Sequence, residues 1–167
     1  MNTAGHFEKV SFRQFEKDWK KNTRRENSEE IYKNLQLPER ATTGSAGYDF
    51  HAPCDIDLKP GASVLIPTGI RAKMNPGWVL MLFPRSSLGF KYRMQLDNTV
   101  GIIDADYYGA DNEGHIMCRI TNDTHDNKTL HINKGAGMVQ GIFVPFGITD
   151  DDSAEGKRTY GFGSTDK

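Results

Sequence analysis

The stretch Asn98-Thr99-Val100-Gly101-Ile102-Ile103-Asp104-Ala105-Asp106-Tyr107 decides how the rest of the chain is read. A short apolar run ends on two carboxylates two residues apart, with an aromatic directly after them. In a continuing strand, alternation puts Asp104 and Asp106 on one face and Tyr107 on the other. If the chain turns just past Ile103, Asp104 instead faces a pocket lined by the preceding backbone. Taken alone, the two acids also read as an ordinary solvated strand end.

Working outward, the texture on both sides is that of short strands punctuated by turns. Lys59-Pro60-Gly61 and Asn75-Pro76-Gly77 each place proline before glycine, the order that type II turns favour. Strands are predicted at 64–66 and 69–72, broken at Pro67, and at 78–83, 95–103, 115–121, 129–132 and 138–146. Many short strands with no helical pattern between them argue for a sandwich, barrel or jelly roll.

Residues 1 to about 40 differ. Ser11-Phe12-Arg13-Gln14 reads as a capping box, with the Ser11 hydroxyl and the Gln14 side chain closing a first helical turn. Phe12, Phe15 and Trp19 follow at near-helical spacing, and Lys17, Lys20, Lys21, Arg24 and Arg25 crowd the other face. A second short helix is expected from Ser28 to Leu35, with Glu29 and Glu30 at its dipole-positive end. The basic cluster reads first as a solvated helix face and second as a contact for nucleic acid or phosphate.

Composition narrows the function classes. A chain of 167 residues suits one compact domain, and a formal charge of -1 gives no global attraction for nucleic acid or an anionic membrane. No apolar run approaches the roughly 18 residues of a membrane span, and no signal-like core opens the chain. The expectation is a soluble, cytoplasmic protein. Cys54 and Cys118 lack CxxC spacing and read as reduced thiols. The five histidines form no HxxxH pair, which argues against a protein-built zinc site.

Three further segments carry chemistry. Pro84-Arg85-Ser86-Ser87-Leu88-Gly89-Phe90 follows an apolar strand, and its guanidinium, hydroxyls and helix-opening amides suit phosphate. Ala46-Gly47-Tyr48-Asp49-Phe50 offers a carboxylate at a strand start. Beyond an acidic stretch at 150–156, Lys157-Arg158-Thr159-Tyr160-Gly161-Phe162-Gly163-Ser164-Thr165 makes poor core material but a good wrap for an anion and a ring.

Taken in order, AGYDF, PRSSLG, NTVGIIDADY, KGAGMVQGIFVPF and GFGST resemble the five motifs of the trimeric deoxyuridine triphosphate nucleotidohydrolases (dUTPases). The resemblance runs from about Leu37 to Thr165. It implies an all-β, jelly-roll or β-barrel subunit, with a β-domain (37–147) and a flexible C-terminal arm (148–167); the N-terminal helical extension (1–36), read from its own pattern, lies outside the resemblance. It also implies a homotrimer with sites at subunit interfaces, no membrane and no direct nucleic-acid binding. The implied reaction is Mg²⁺-dependent hydrolysis of dUTP to dUMP and pyrophosphate, limiting uracil in DNA and supplying dUMP for thymidylate synthesis.

Carried over by residue, Asp104 matches the aspartate that activates the attacking water. Tyr107 matches the tyrosine under the deoxyribose, which excludes a 2′-hydroxyl. Asn98 and the backbone through Gly101 and Ile103 match the uracil-reading segment. Asp49 matches a carboxylate that reaches the metal through water, the ion being held mainly by substrate phosphates. Arg85, Ser86, Ser87, Gln140 and Arg158 fall at phosphate-binding positions. Phe162 resembles the aromatic that closes over uracil, with Gly163, Ser164 and Thr165 around the phosphates.

Some positions depart from the pattern. Ser87 replaces a frequent glycine, the turn from Tyr108 to Gly114 is long, and Arg158 lies one residue closer to Phe162 than usual, leaving Lys157 at the expected spacing. Two rivals are weighed. A dCTP deaminase needs a glutamate on the strand after the aspartate turn, where 115–122 holds no carboxylate and Arg119 takes roughly that place. A dUTP-sensing regulator would use the basic extension as a protein-partner surface. Deletion of residues 1–36 is expected to leave hydrolysis largely intact.

Overall fold

The computed structural model describes residues 3–161. Its sheets are all formed by short antiparallel strands: β1 (Gly5–Lys9), β2 (Tyr48–His51), β3 (Ile56–Leu58), β4 (Ser63–Pro67), β5 (Ile70–Met74), β6 (Trp78–Pro84), β7 (Met94–Leu96), β8 (Gly101–Ile103), β9 (Met117–Asn122), β10 (Leu130–Ile132) and β11 (Gly137–Pro145). Helices α1 (Phe12–Thr23) and α2 (Ser28–Lys33) precede β2, and α3 (Ser86–Tyr92) follows β6. A 3₁₀ helix, Ala105–Gly109, follows β8.

The four sheets are β1-β5, β10-β3, β4-β9-β7 and β2-β11-β6-β8. The fold is a jelly-roll-like all-β architecture, as the strand pattern implied. Both Pro-Gly turns form: Gly61 and Gly77 take φ of 77° and 82°, values that a side chain would resist. Core residues from every sheet join one cluster, including Phe50, Leu80, Leu82, Ile120, Leu130 and Met138. Among the described residues no helix is long and apolar enough to cross a membrane.

The N-terminal segment is more deeply built in than the sequence pattern conveys. In α1, Phe15 and Trp19 are fully buried and stack at 5.4 Å, while Gln14 and Asp18 lie one residue earlier on the same side. β1, which no apolar run announced, pairs with β5 from Gly5↔Met74 to Lys9↔Ile70. Gly69 has no room for a Cβ, which would meet Leu35 Cδ1 at 2.2 Å and Phe15 Cδ2 at 3.2 Å. Helix α1 and the segment just past α2 therefore rest directly on the turn between β4 and β5. Deleting residues 1–36 would remove Phe15, Trp19, Ile31 and Leu35 from the core cluster.

The capping box is half formed. Ser11 Oγ accepts from Gln14 N–H at 3.2 Å, but Gln14 turns inward and donates to Asp18. Glu113, distant in sequence, takes over the reciprocal role by accepting from the Ser11 N–H at 2.7 Å. The strand expected over 95–103 is two strands on different sheets. The chain turns between them at 97–100, where polar Asp97 and Asn98 interrupt the apolar run and Thr99 takes φ of 67°. A β-branched residue at positive φ is strained by about 1–2 kcal/mol, and Thr99 directly follows Asn98, which lines the cavity described next.

Candidate active site

β8 ends at Ile103, and the chain turns there rather than running on as a strand. Asp104 becomes the residue before the 3₁₀ helix, and that helix swings Tyr107 back beneath it. The turn opens a cavity of about 410 Å³, lined by Asn98, Gly101, Ile103, Asp104, Tyr107 and Arg158 among others. Gly101 is needed for closeness: a Cβ there would stand 3.0 Å from Leu82 Cβ. Asn98, Gly101, Ile103, Asp104 and Tyr107, separately predicted, thus share one wall. Ile102, between Gly101 and Ile103, also lines the cavity and is half exposed.

The two carboxylates do face the same way, toward a cation from the far end of the chain. Arg158 Nη2 donates to Asp104 Oδ2 at 2.6 Å, and its Nε donates to Asp106 Oδ1 at 2.9 Å. The guanidinium lies 5.8 Å from the centre of the Tyr107 ring. The tail is held beside this site by Asp111 N–H donating to the Thr159 carbonyl, and by Gly161 abutting Asn112 so closely that a Cβ would stand 2.8 Å away. Residues 158–161 therefore lie over the cavity of their own chain. Phe162, Gly163, Ser164 and Thr165 lie outside the described residues.

Tyr107 is buried, and its hydroxyl donates to the His115 carbonyl at 2.8 Å while accepting from Asn112 Nδ2 at 2.8 Å. Burial pushes its phenol above the ordinary value, so it stays a neutral wall at physiological pH. Cys118 and Arg119 of β9 complete the opposite side. Burial alone lifts the Cys118 thiol to about 12, which makes it an inert apolar surface. Sequence reading missed Asn112, which lies in the long turn after Tyr107. It also missed the cavity role of β9, whose only signal was alternation.

A second cluster gathers at the other side of the same sheet. Arg85, capping α3, pairs through Nε with Asp49 Oδ1 at 3.1 Å and donates to the Gly137 carbonyl at 3.3 Å. Gln140 Nε2 donates to the Pro84 carbonyl at 3.2 Å. Gly47 lets the Gln140 side chain pass, since a Cβ would come within 2.6 Å of Oε1. Ser86 and Ser87 form the exposed first turn of α3, where helix amides lack intrahelical partners. Among the described residues no group of three or more His, Cys, Asp or Glu comes together to hold a metal.

The two clusters do not meet in one chain. Asp49 is level with Gln140 and Phe83, whereas Asp104 follows Ile103, the partner of Leu80. Three inter-strand steps of about 4.8 Å and four residues of about 3.3 Å separate their backbones by roughly 20 Å.

Comparison with known proteins adds an independent line. The family model for dUTPase matches residues 33–165. The deoxyuridine 5'-triphosphate nucleotidohydrolase of Lactococcus lactis subsp. lactis (strain IL1403) is 45% identical over 139 residues, covering 80% of this chain and 91% of that protein. The protein of the same name from Escherichia coli O45:K1 (strain S88 / ExPEC) is 38% identical over 141 residues, covering 80% and 89%. Among solved structures, the dUTPase from Streptococcus mutans superposes with a TM-score of 0.65 at 38% identity, covering 87% of this chain and 98% of that one. A mutant dUTPase from phage phi11 of S. aureus shares the fold, with a TM-score of 0.59 at 24% identity, covering 74% and 92%.

Proposed function

The chain belongs to the dUTPase family and is a dUTP diphosphatase, and we propose that it works by in-line attack of an Asp104-held water on the α-phosphate of dUTP. The observation that carries this reading is the cavity in which Asp104 shares a wall with Asn98, Gly101, Ile103 and Tyr107. Uracil is read by the Asn98 side chain and the backbone of β8, whose donors and acceptors match uracil and oppose cytosine. A mismatch leaves buried groups unpaired, and that is how such sites discriminate. Tyr107 lies under the deoxyribose and leaves no room for a 2′-hydroxyl.

Asp104 orients the water and takes its proton as the bond to the α-phosphorus forms and pyrophosphate leaves. The developing negative charge is met by Arg158 and by Arg85 with Gln140, Ser86 and Ser87 around the phosphates. The contact between Arg158 and Asp104 is then exchanged for phosphate contacts when substrate enters. Phe162, Gly163, Ser164 and Thr165 close over the bound nucleotide.

Mg²⁺ fits a donor set made mainly of substrate oxygens. Asp49, paired with Arg85, would contribute its carboxylate to the ion through water. Bound there, the ion would neutralise triphosphate charge. A structural Mg(II) ion is described for the phage phi11 enzyme.

The roughly 20 Å between the Asp104 and Asp49 clusters supports a homotrimer in which each site draws on more than one subunit. The two free, buried cysteines are in keeping with a cytoplasmic setting. There the reaction would limit uracil in DNA and supply dUMP for thymidylate synthesis.

Two experiments test the reading. Hydrolysis in heavy-oxygen water should place the label in dUMP, and label in pyrophosphate would refute α-phosphate attack. Mixing and reassembling the inactive variants Asp104→Asn and Arg85→Ala should restore activity, because some sites then carry both intact residues. No recovery in proven mixed assemblies would refute the shared site.

A further inference from the structure

We propose that Asp18 and His115 are a positioning pair for Tyr107, so that helix α1 sets how strictly the site rejects a ribose. This rests on the reading of Tyr107 as the wall beneath the sugar. Neither residue lines the cavity, and the hydrolytic chemistry described above uses neither.

Asp18 Oδ2 accepts from Gln14 Nε2 at 2.8 Å and from His115 Nδ1 at 2.6 Å. The imidazole is fully buried, and its Nε2 accepts the Gly69 N–H at 2.8 Å. A backbone amide only donates, so Nε2 holds a lone pair and the ring proton sits on Nδ1, facing the carboxylate. Both ends of the ring are thereby tied, and the tautomer is set by its two neighbours. Thr68 Oγ1 and the Thr68 N–H both donate to the next carbonyl, that of Ile116, which prevents this stretch from sliding.

The main-chain carbonyl of His115 is the acceptor for the Tyr107 hydroxyl. Moving the imidazole moves this carbonyl, and with it the ring that backs the cavity. Asn112 holds the same hydroxyl from the solvent side. The chain of contacts runs from α1 through Asp18, His115 and Tyr107 to the space where the sugar lies. A buried carboxylate–imidazole pair is seldom the most stabilising filling for a core, and its directed bonds give it a positional task.

The test is steady-state kcat and KM for dUTP and for UTP, with wild type, Asp18→Ala, Asp18→Asn, Tyr107→Phe and the Asp18→Ala/Tyr107→Phe double variant. Asp18→Ala and Tyr107→Phe should each lower the dUTP-over-UTP ratio of kcat/KM by about fivefold or more, because small displacements at a wall are costly. The change should appear mainly as a lower KM for UTP, the nucleotide whose 2′-hydroxyl a displaced Tyr107 ring no longer excludes. Asp18→Asn keeps an acceptor facing Nδ1 and should stay within about twofold, and the double variant should be no worse than either single one. Should Asp18→Ala fail to fold, Tyr107→Phe still decides, since it removes only the hydroxyl through which the pair acts. A wild-type ratio in Tyr107→Phe, or in folded Asp18→Ala, would overturn the proposal. Tyr107→Ala that still rejects UTP would overturn the sugar-wall reading itself, a separate and recognisable failure.

Discussion

Trp19→Ala tests whether the N-terminal segment belongs to the core. Trp19 is fully buried, stacks on Phe15 at 5.4 Å and donates from its indole to Asn27 Oδ1 at 3.3 Å. Truncating a buried Trp costs about 3–5 kcal/mol, and the lost hydrogen bond about 1 kcal/mol of that order. For a chain of this length each kcal/mol moves Tm by about 2–4 °C, so a loss near 4 kcal/mol lowers it by roughly 8–16 °C. The assay is thermal melting followed by far-ultraviolet circular dichroism at fixed protein concentration, because oligomer stability depends on concentration. Phe12→Ala is the control: Phe12 is on the same helix but 37% exposed, and should cost about 1 kcal/mol. A Trp19→Ala protein melting within about 3 °C of wild type would refute the account of α1 as a core element.

Three further outcomes follow from the geometry. Arg158→Gln removes the cation that meets both site carboxylates and should lower kcat/KM for dUTP on the order of 10²-fold; a loss under threefold in pyrophosphate-release kinetics would count against its role. Asp18 is pushed up by burial, but hydrogen bonds from His115 and Gln14 outweigh this and hold its carboxyl below 3.8. Its stabilising contribution is therefore complete above that pH and is lost as pH falls through the depressed folded value, so Asp18→Asn should flatten the acid limb of urea midpoints measured from pH 7 to 3. Cys118, at about 12, and Cys54, also raised by burial, should resist a disulfide-exchange reagent at pH 8 until the protein is unfolded; rapid native labelling of Cys118 would contradict its placement.

What the sequence made legible was local. The Pro-Gly turns, the apolar runs of β6 and β11 and the amphipathic face of α1 carry their own periodicity, and they appear where that periodicity puts them. β1 escaped because Gly5-His6-Phe7-Glu8-Lys9 is polar and depends on β5 for its pairing. The split between β7 and β8 escaped because apolar residues on both sides of the polar Asp97-Asn98-Thr99 turn read as one strand, although the two halves pair in different sheets. At the site, Asp104, Tyr107 and the glycine-bearing strand could be singled out, since their chemistry is concentrated within ten residues. The clamp of Arg158 on Asp104 and Asp106, and the Asp18–His115 pair, join residues far apart in the chain, and no spacing rule reports them. Residue chemistry placed Arg158 among the phosphates, while the fold sets it first on the carboxylates.

The most direct test of the central claim is pyrophosphate release from dUTP, run beside dCTP, dTTP and UTP, for wild type and Asp104→Asn with Mg²⁺ present. The account predicts rapid release from dUTP alone, abolished by the substitution although the nucleotide still binds. Undiminished release by Asp104→Asn, or equal release from dCTP, would contradict it.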